Sequence, residues 1–429
     1  MLGMNKRLAE LEENGTPIQA AIIGAGQMGT GMVSQMLAMK GMRPAVVADI
    51  NIESAKKAYL NANVSEDQIA IVETAEEGMQ AIEDGKFVIT SNAMLAAKMD
   101  QVDAVVEATG VPDVGAHVAM DCIFEKKNII MMNVEADVTI GPLLKKLADN
   151  AGIVYTGSHG DEPGAVMELY DFATALGYDV RVVGKGKNNA IDLNANPDSV
   201  MEEATRRGVN PKMLACFKDG TKTAVEMTAM SNATGFLADV RGAHGPIGTV
   251  EELPGLFQLK EEGGILNNYG VIDYVNGVAP GVFVIVSSPL KEVHREMHYL
   301  SMGDGPNYVL YRPYHLCSLE TPLTVARAVL DHEPTIVPLG APVSECVAVA
   351  KRDLKAGETL DGIGGYTVYG TIESAAIVKE NNAVPMGLVN KKTKVVRDVK
   401  KGELITYDDV KIDTSSFIVQ LRQLQDQMF

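Results

Sequence analysis

Residues 18–29 read Ile18-Gln19-Ala20-Ala21-Ile22-Ile23-Gly24-Ala25-Gly26-Gln27-Met28-Gly29. The first six suit a buried strand. The glycines that follow have G-x-G-x-x-G spacing, and Met32, Met36 and Met39 continue the chain at helical intervals. Strand, glycine-rich turn and helix in this order open a dinucleotide-binding βαβ unit. Gly24 permits the tight turn, Gly26 lets a pyrophosphate approach the backbone, and Gly29 lets helix and strand pack closely. The N–H groups that open the helix at Gln27 and Met28 face the phosphate charge. Asp49 lies about 20 residues beyond Gly29 and ends a second strand, Pro44–Asp49, where a carboxylate receives a ribose 2′-hydroxyl. A carboxylate there repels a 2′-phosphate and favours NAD, while Lys56 and Lys57 on the next helix leave NADP open.

Outward from this stretch, strands and helices alternate. Gly41 suits the end of the first helix. A helix over 52–61, a strand over 102–108 closed by Thr109-Gly110, a helix over 114–125 and a strand over 128–133 follow. The alternation predicts a doubly wound parallel sheet of Rossmann type in an α/β domain over 1–150. Thr109 and Gly110 then lie under the nicotinamide ribose, and Asn133 lies near the nicotinamide.

The chain has 429 residues, 46% of them hydrophobic and 22% charged, with a net charge of −18. Such a chain holds several domains, and its acidity argues against nucleic-acid binding. Cys122, Cys216, Cys317 and Cys346 form no CxxC pair, so neither a zinc ribbon nor a redox dithiol is signalled. The N-terminal residues are polar and helix-like, without the apolar core of a signal peptide. No apolar run reaches about 18 residues, so no membrane span is expected. A cytoplasmic location follows as the expectation.

Residues 151–335 read as an α+β catalytic domain with a strand at 153–156, a helix over about 164–176 and a strand at 180–183. A long helix over 221–233 and a strand over 281–286 complete it. Lys185 and Lys187 stand two apart at a strand end and point to one face, which suits a phosphate clamp or a carbonyl polariser. Lys222 and Glu226 share a helix face. Lys222 suits the acid that protonates the oxygen receiving charge as hydride arrives. Lys218, Asn189, Asn232, His159 and Arg241 are candidate substrate contacts, and Asp161 and Glu162, with Glu168, offer hard oxygen ligands for magnesium or manganese. Residues 336–413 read as a small β-rich domain in which Ala350–Leu360 and Val396–Ile405 repeat one phrase. Residues 414–429 hold Phe417, Ile418, Leu421 and Leu424 at the spacing of a closing helix.

The order of glycine loop, Glu107-Ala-Thr109-Gly110, strand ending in Asn133 and catalytic insertion resembles the homoserine dehydrogenase superfamily. That superfamily places a lysine after the asparagine, where Val134 and Glu135 stand here. Three stretches resemble more closely the 1-deoxy-D-xylulose 5-phosphate reductoisomerase-like family: Ser158-His159-Gly160-Asp161-Glu162-Pro163-Gly164, Gly184-Lys185-Gly186-Lys187-Asn188-Asn189, and Lys218 through Met227. The β-rich segment is similar to the SAF domain of that family. The resemblance implies an NAD(P)H-dependent oxidoreductase, a reductoisomerase of a phosphorylated keto sugar, acting as a homo-oligomer (a dimer). A dehydrogenase of another sugar phosphate or of a branched polyol is the alternative within the class. A non-catalytic NAD-binding sensor is the alternative outside it.

Overall fold

The computed structural model describes residues 3–429 and divides the chain into two compact units. Of the described residues, the first holds 3–164, 316–337 and 420–428, and the second holds 165–315, 338–419 and 429.

The first unit is built on seven parallel strands: β1 (Ile18–Ile23), β2 (Met42–Ala48), β3 (Ile69–Ile71), β4 (Phe87–Thr90), β5 (Ala104–Glu107), β6 (Asn128–Met131) and β7 (Tyr155–Gly157). Their spatial order is β3-β4-β2-β1-β5-β6-β7, which reverses direction between β1 and β5. The crossovers are α1 (Met4–Glu13) before β1, then α2 (Gln27–Ala38), α3 (Ile52–Asn61), α4 (Ala75–Glu83), α5 (Pro112–Phe124) and α6 (Val134–Ala151). This is the doubly wound parallel sheet expected from the 18–29 stretch. Met32 and Met36 are fully buried and pack with Ile22, Val47, Ile89 and Val106. The helix after Gly29 stops at Ala38, so Gly41 does not end it. Gly41 is needed elsewhere: its φ is +63°, and a Cβ there would stand 2.1 Å from the Leu8 carbonyl oxygen on α1.

Two later segments complete this unit. The helix Thr321–Leu330, expected with the catalytic domain, contributes Val325, Ala326 and Ala328 to the same core cluster as α2. Three apolar side chains at the spacing of one face cannot stay exposed, and the α2 surface covers them. The closing helix is Phe417–Met428. Its Gln425 is buried beside α6, which contains Pro142. Proline cannot donate within the helix. The Gln425 carboxamide spans that turn, accepting the Leu143 N–H at 3.1 Å and donating to the Thr139 carbonyl at 3.2 Å. Arg422 donates to the same carbonyl at 3.1 Å.

The second unit contains α7 (Glu162–Ala175) from Ala165 onward, and a mixed sheet of β8 (Asp179–Lys187), β9 (Leu237–Ala238), β10 (Val271–Asn276), β11 (Val282–Ser287) and β12 (Tyr308–Arg312). Its order is β12-β11-β8-β10-β9, with β8 in the centre. The helices α8 (Met201–Arg207), α9 (Pro211–Lys218) and α10 (Thr221–Thr234) follow β8. An antiparallel pair, β13 (Ser344–Ala350) and β14 (Val368–Ser374), belongs to the same unit, so the β-rich segment and the catalytic segment share one compact body. Its two repeated phrases form two turns that clasp each other. Leu354 and Val399 exchange backbone hydrogen bonds at 2.8 and 3.1 Å. Asp398 accepts from the Ala356 N–H and the Lys355 ammonium, and Asp353 accepts from the Lys401 N–H and the Lys400 ammonium.

Among the described residues no helix is long and apolar enough to cross a membrane.

Two predictions test this description. Replacing Gln425 with Leu leaves the buried Leu143 N–H unanswered, so the urea midpoint should fall by the equivalent of about 1–3 kcal/mol. In the same unit, burial pushes the Asp137 carboxyl up to about 6, against the pull of the Tyr155 hydroxyl that donates to it at 2.7 Å. The folded carboxyl therefore keeps its proton to higher pH than an unfolded one, and stability drains as pH rises from about 4 to about 6. Asp137→Asn cannot ionise, so it should gain on the wild type across that interval, by about 2–3 kcal/mol at pH 7. Urea titrations of both proteins at several pH values measure this, and a difference that is independent of pH would refute it.

Candidate active site

The glycine loop has the geometry a dinucleotide needs. Gly24 has φ +102°, and a Cβ there would meet the Ala108 carbonyl oxygen at 2.9 Å. Gly29 lies so close to the strand that its Cβ would fall 1.9 Å from the Gly24 carbonyl oxygen. Gly26 is different: nothing lies within 4 Å of its Cβ position, so it faces open space. It is the N-cap of α2, and having no side chain it makes no capping bond to the first turn, which begins at Gln27. Open space in front of uncapped helix amides is the cradle of a pyrophosphate. Asp49 stands just past β2, where one carboxylate oxygen accepts the Ala25 N–H at 2.7 Å and the other accepts the Asn51 N–H at 2.8 Å. The acid thus holds the glycine loop in place and keeps lone pairs for a ribose hydroxyl. These residues fit the nicotinamide dinucleotide that the sequence implies.

Across the point where strand order reverses, Glu107 ends β5 and is fully buried. Its Oε1 accepts the Thr109 N–H at 2.9 Å and also the Thr109 hydroxyl. The Thr109 hydroxyl accepts the Val111 N–H at 3.2 Å. Gly110 has φ +65° and open space at its Cβ position. Asn133 caps α6 by accepting the Ala136 N–H at 3.2 Å. Burial holds the Glu107 carboxyl above the usual carboxylate range, although the bonds from Thr109 and the Asn133 amide nearby pull the other way.

In the second unit the Gly-Lys-Gly-Lys run lies inside β8, where the sequence places it just past a strand end. The alternation has a packing cause. A Cβ at Gly184 would meet the Phe283 ring at 2.3 Å, and one at Gly186 would meet the Ala279 nitrogen at 2.4 Å. At these two positions that face of β8 admits only glycine, and the opposite face carries the lysines. Lys185 and Lys187 are both buried. Glu226 of α10, also buried, bonds the Lys185 ammonium directly, and the Lys222 ammonium lies 3.8 Å from its other oxygen. Lys187 donates to the Phe217 carbonyl at 2.8 Å. Burial, followed by the neighbouring Lys185 ammonium, lowers the Lys187 pKa below the ordinary lysine value, while Glu226 and Asp219 act in the opposite sense.

The remaining predicted residues fall in several places. Lys218 pairs with Glu203 on α8 and Asn189 bonds its neighbour Asn188, so neither is among the partners shown for the Lys185–Glu226 group. Asn232 is buried, and its carbonyl oxygen accepts the Val343 and Ser344 N–H groups at 2.7 and 3.0 Å, so it anchors the start of β13. Arg241 donates to Glu373 at 2.6 Å with half its side chain exposed. In the first unit His159 is buried with its Nε2 3.5 Å from Glu320, and Asp161 is buried just before Glu162 opens α7. Glu168 lies 3.7 Å from Arg312.

Sequence reasoning missed the pair below α10. Lys351 is buried, forms an ion pair with Asp219 at 2.7 Å and donates to the Ala195 carbonyl at 2.6 Å and the Gly365 carbonyl at 2.7 Å. Asp219 in turn accepts the Thr221 N–H at 2.8 Å and so starts α10. Lys351 lies in the first repeated phrase, which reads as an ordinary charged turn, so nothing in the sequence marks it.

Among solved structures, a probable dehydrogenase from Thermotoga maritima is similar, with 13% identity over 75% of this chain and 91% of that chain and a TM-score of 0.42. Scyllo-inositol dehydrogenase from Lactobacillus casei, with bound NAD(H) and scyllo-inositol, shows 10% identity over 69% of this chain and 76% of that chain, with a TM-score of 0.37. Levoglucosan dehydrogenase in complex with NADH shows 18% identity over 42% of this chain and 46% of that chain, with a TM-score of 0.29. No curated protein matches the chain. Residues 160–321, the span that holds Lys185, Lys187, Lys222 and Glu226, match the family model described as oxidoreductase DRL, catalytic domain.

Proposed function

We propose that this oxidoreductase reduces a phosphorylated keto sugar with NADH or NADPH, as a reductoisomerase whose first substrate to test is 1-deoxy-D-xylulose 5-phosphate. The observation that carries the reading is a cluster of cations. Lys185 and Lys222 flank one carboxylate, Glu226, and Lys187, two residues along the strand, is close enough to feel the charges of Lys185 and Glu226, in a largely buried setting. Cations are expensive to bury. An anionic substrate offsets that cost, and so does an oxygen that gains negative charge during reaction. The match of 160–321 to an oxidoreductase catalytic domain supports the same reading.

In the reduction the carbonyl carbon takes a hydride and the carbonyl oxygen takes a proton. The bound nicotinamide supplies the hydride. Lys222, the most exposed of the three lysines, supplies the proton to the oxygen. Glu226 pairs with Lys185 and keeps Lys222 in position. Lys187, with its lowered pKa, binds phosphate or polarises the carbonyl. The preceding skeletal rearrangement breaks one C–C bond and forms another, converting ketose to aldehyde without net oxidation. Asp49 favours NAD as the cofactor.

The test follows the loss of reduced-nicotinamide absorbance with NADH and NADPH, with the keto sugar phosphate, with and without magnesium or manganese. Turnover to a methylerythritol phosphate is the expected result. Metal dependence would bring Asp161 and Glu162 into play as ligands. Cofactor binding without turnover on this or other phosphorylated ketoses would overturn the reading and favour a sensor.

Lys222→Met should lower kcat by about 10²–10⁴ and leave NADH affinity unchanged. Gly26→Val places a side chain in open space, so the protein should fold with its normal urea midpoint yet lose NADH binding. Retained binding would mean that the pyrophosphate lies elsewhere.

A further inference from the structure

We propose that Glu107 is a positioning residue that ties the turn after β5 to the N-terminus of α6, and thereby fixes the nicotinamide half of the cofactor site. The proposal rests on the dinucleotide reading above.

The groups that pull the Glu107 carboxylate toward its charged form are donors, Thr109 and the Asn133 amide, while the Glu135 charge opposes them. Oε1 is wrapped by the 109–111 turn through the Thr109 N–H and hydroxyl. Oε2 is buried without a hydrogen bond, and so is Nδ2 of Asn133, whose amide nevertheless acts with Thr109 to lower the Glu107 pKa. Asn133 spends its oxygen on the Ala136 N–H, which leaves its NH₂ as the free end. Both atoms face Gly115 of α5: a Cβ there would lie 2.9 Å from Asn133 Nδ2 and 3.1 Å from Glu107 Oε2. Donor and acceptor in a closed space with no other partner answer each other. One carboxylate thus joins the loops that leave two adjacent strands, β5 and β6.

The placement of those loops gives the consequence. Strand order reverses between β1 and β5, and a dinucleotide lies across such a crevice with one half on each side. Asp49, past β2, serves the adenosine side. Thr109 and Gly110, past β5, and the N-terminus of α6 that Asn133 caps, past β6, lie on the nicotinamide side. A defect at Glu107 should therefore weaken recognition of the nicotinamide and spare the ADP-ribose portion.

Glu107→Gln keeps the shape and turns one acceptor into a donor. Its NH₂ must then face either Thr109 or the Asn133 NH₂. The double variant Glu107→Gln/Asn133→Asp restores complementarity: the new carboxamide accepts from Thr109 and donates to the new carboxylate, which still caps α6. NADH binding is measured by fluorescence and ADP-ribose binding by calorimetry, on the full chain. The single variant should bind NADH about tenfold more weakly, bind ADP-ribose as the wild type does, and regain NADH affinity to within about threefold in the double variant. NADH binding unchanged in the single variant would overturn the proposal, and so would equal losses for both ligands. If the single variant does not fold, the double variant decides: restored NADH affinity supports the proposal and a selective loss of NADH overturns it. A wild-type protein that binds neither ligand would overturn the dinucleotide reading and this proposal with it.

Discussion

The second unit depends on burying two lysines on one strand. Lys185 and Lys187 lie in the centre of a sheet, where an ammonium group loses its water. Much around them compensates for that. Glu226 supplies the countercharge from a helix that is itself almost wholly buried. That helix is rich in threonine and serine, and these hydroxyls find partners nearby. Thr228 bonds the Ala224 carbonyl, Ser231 bonds Ser344, and Thr221 receives the Gly370 N–H. The helix is held at its first turn by Asp219 and Lys351 and at its last by Asn232, and both anchors lead to β13 and β14 or the turns beside them. The β-rich segment is therefore scaffolding for the lysine cluster. An independent appendage would leave α10 with buried hydroxyls and no partners.

The first unit depends on backbone proximity instead. Gly24 and Gly29 bring strand and helix to a separation that no side chain permits, and Asp49 locks the loop through a backbone N–H. These are local effects within a few dozen residues, which is why the stretch 18–49 could be read directly from sequence. The parallel sheet followed from the same periodicity.

What the sequence left hidden was non-local. Lys185, Lys187, Lys222 and Glu226 were legible as a group because two short spacings, i,i+2 on a strand and i,i+4 on a helix, mark shared faces. Lys351 was not, since its partner Asp219 is more than a hundred residues away and each looks like a turn residue alone. The same limit explains Asn232, whose contacts are backbone N–H groups at 343 and 344 that carry no side-chain signature. Residues 321–330 fell within the catalytic segment by position alone, with no helix read there, whereas the apolar face of the helix they form packs with a helix near the opposite end of the chain. Patterning tells that a face must be covered but not by what.

The split of the first unit into three stretches also has a bearing on how the protein is made. Gln425 reaches the Pro142 turn only after residues 165–419, which include nearly all of the second unit, have been synthesised. At about 5–20 residues per second, the parallel sheet waits many seconds on the ribosome with the Thr321–Leu330 face of its core uncovered and the Leu143 N–H unanswered. Folding in order of synthesis is thus closed to this chain, and the nascent sheet is a natural client for a chaperone until the helix carrying Gln425 emerges.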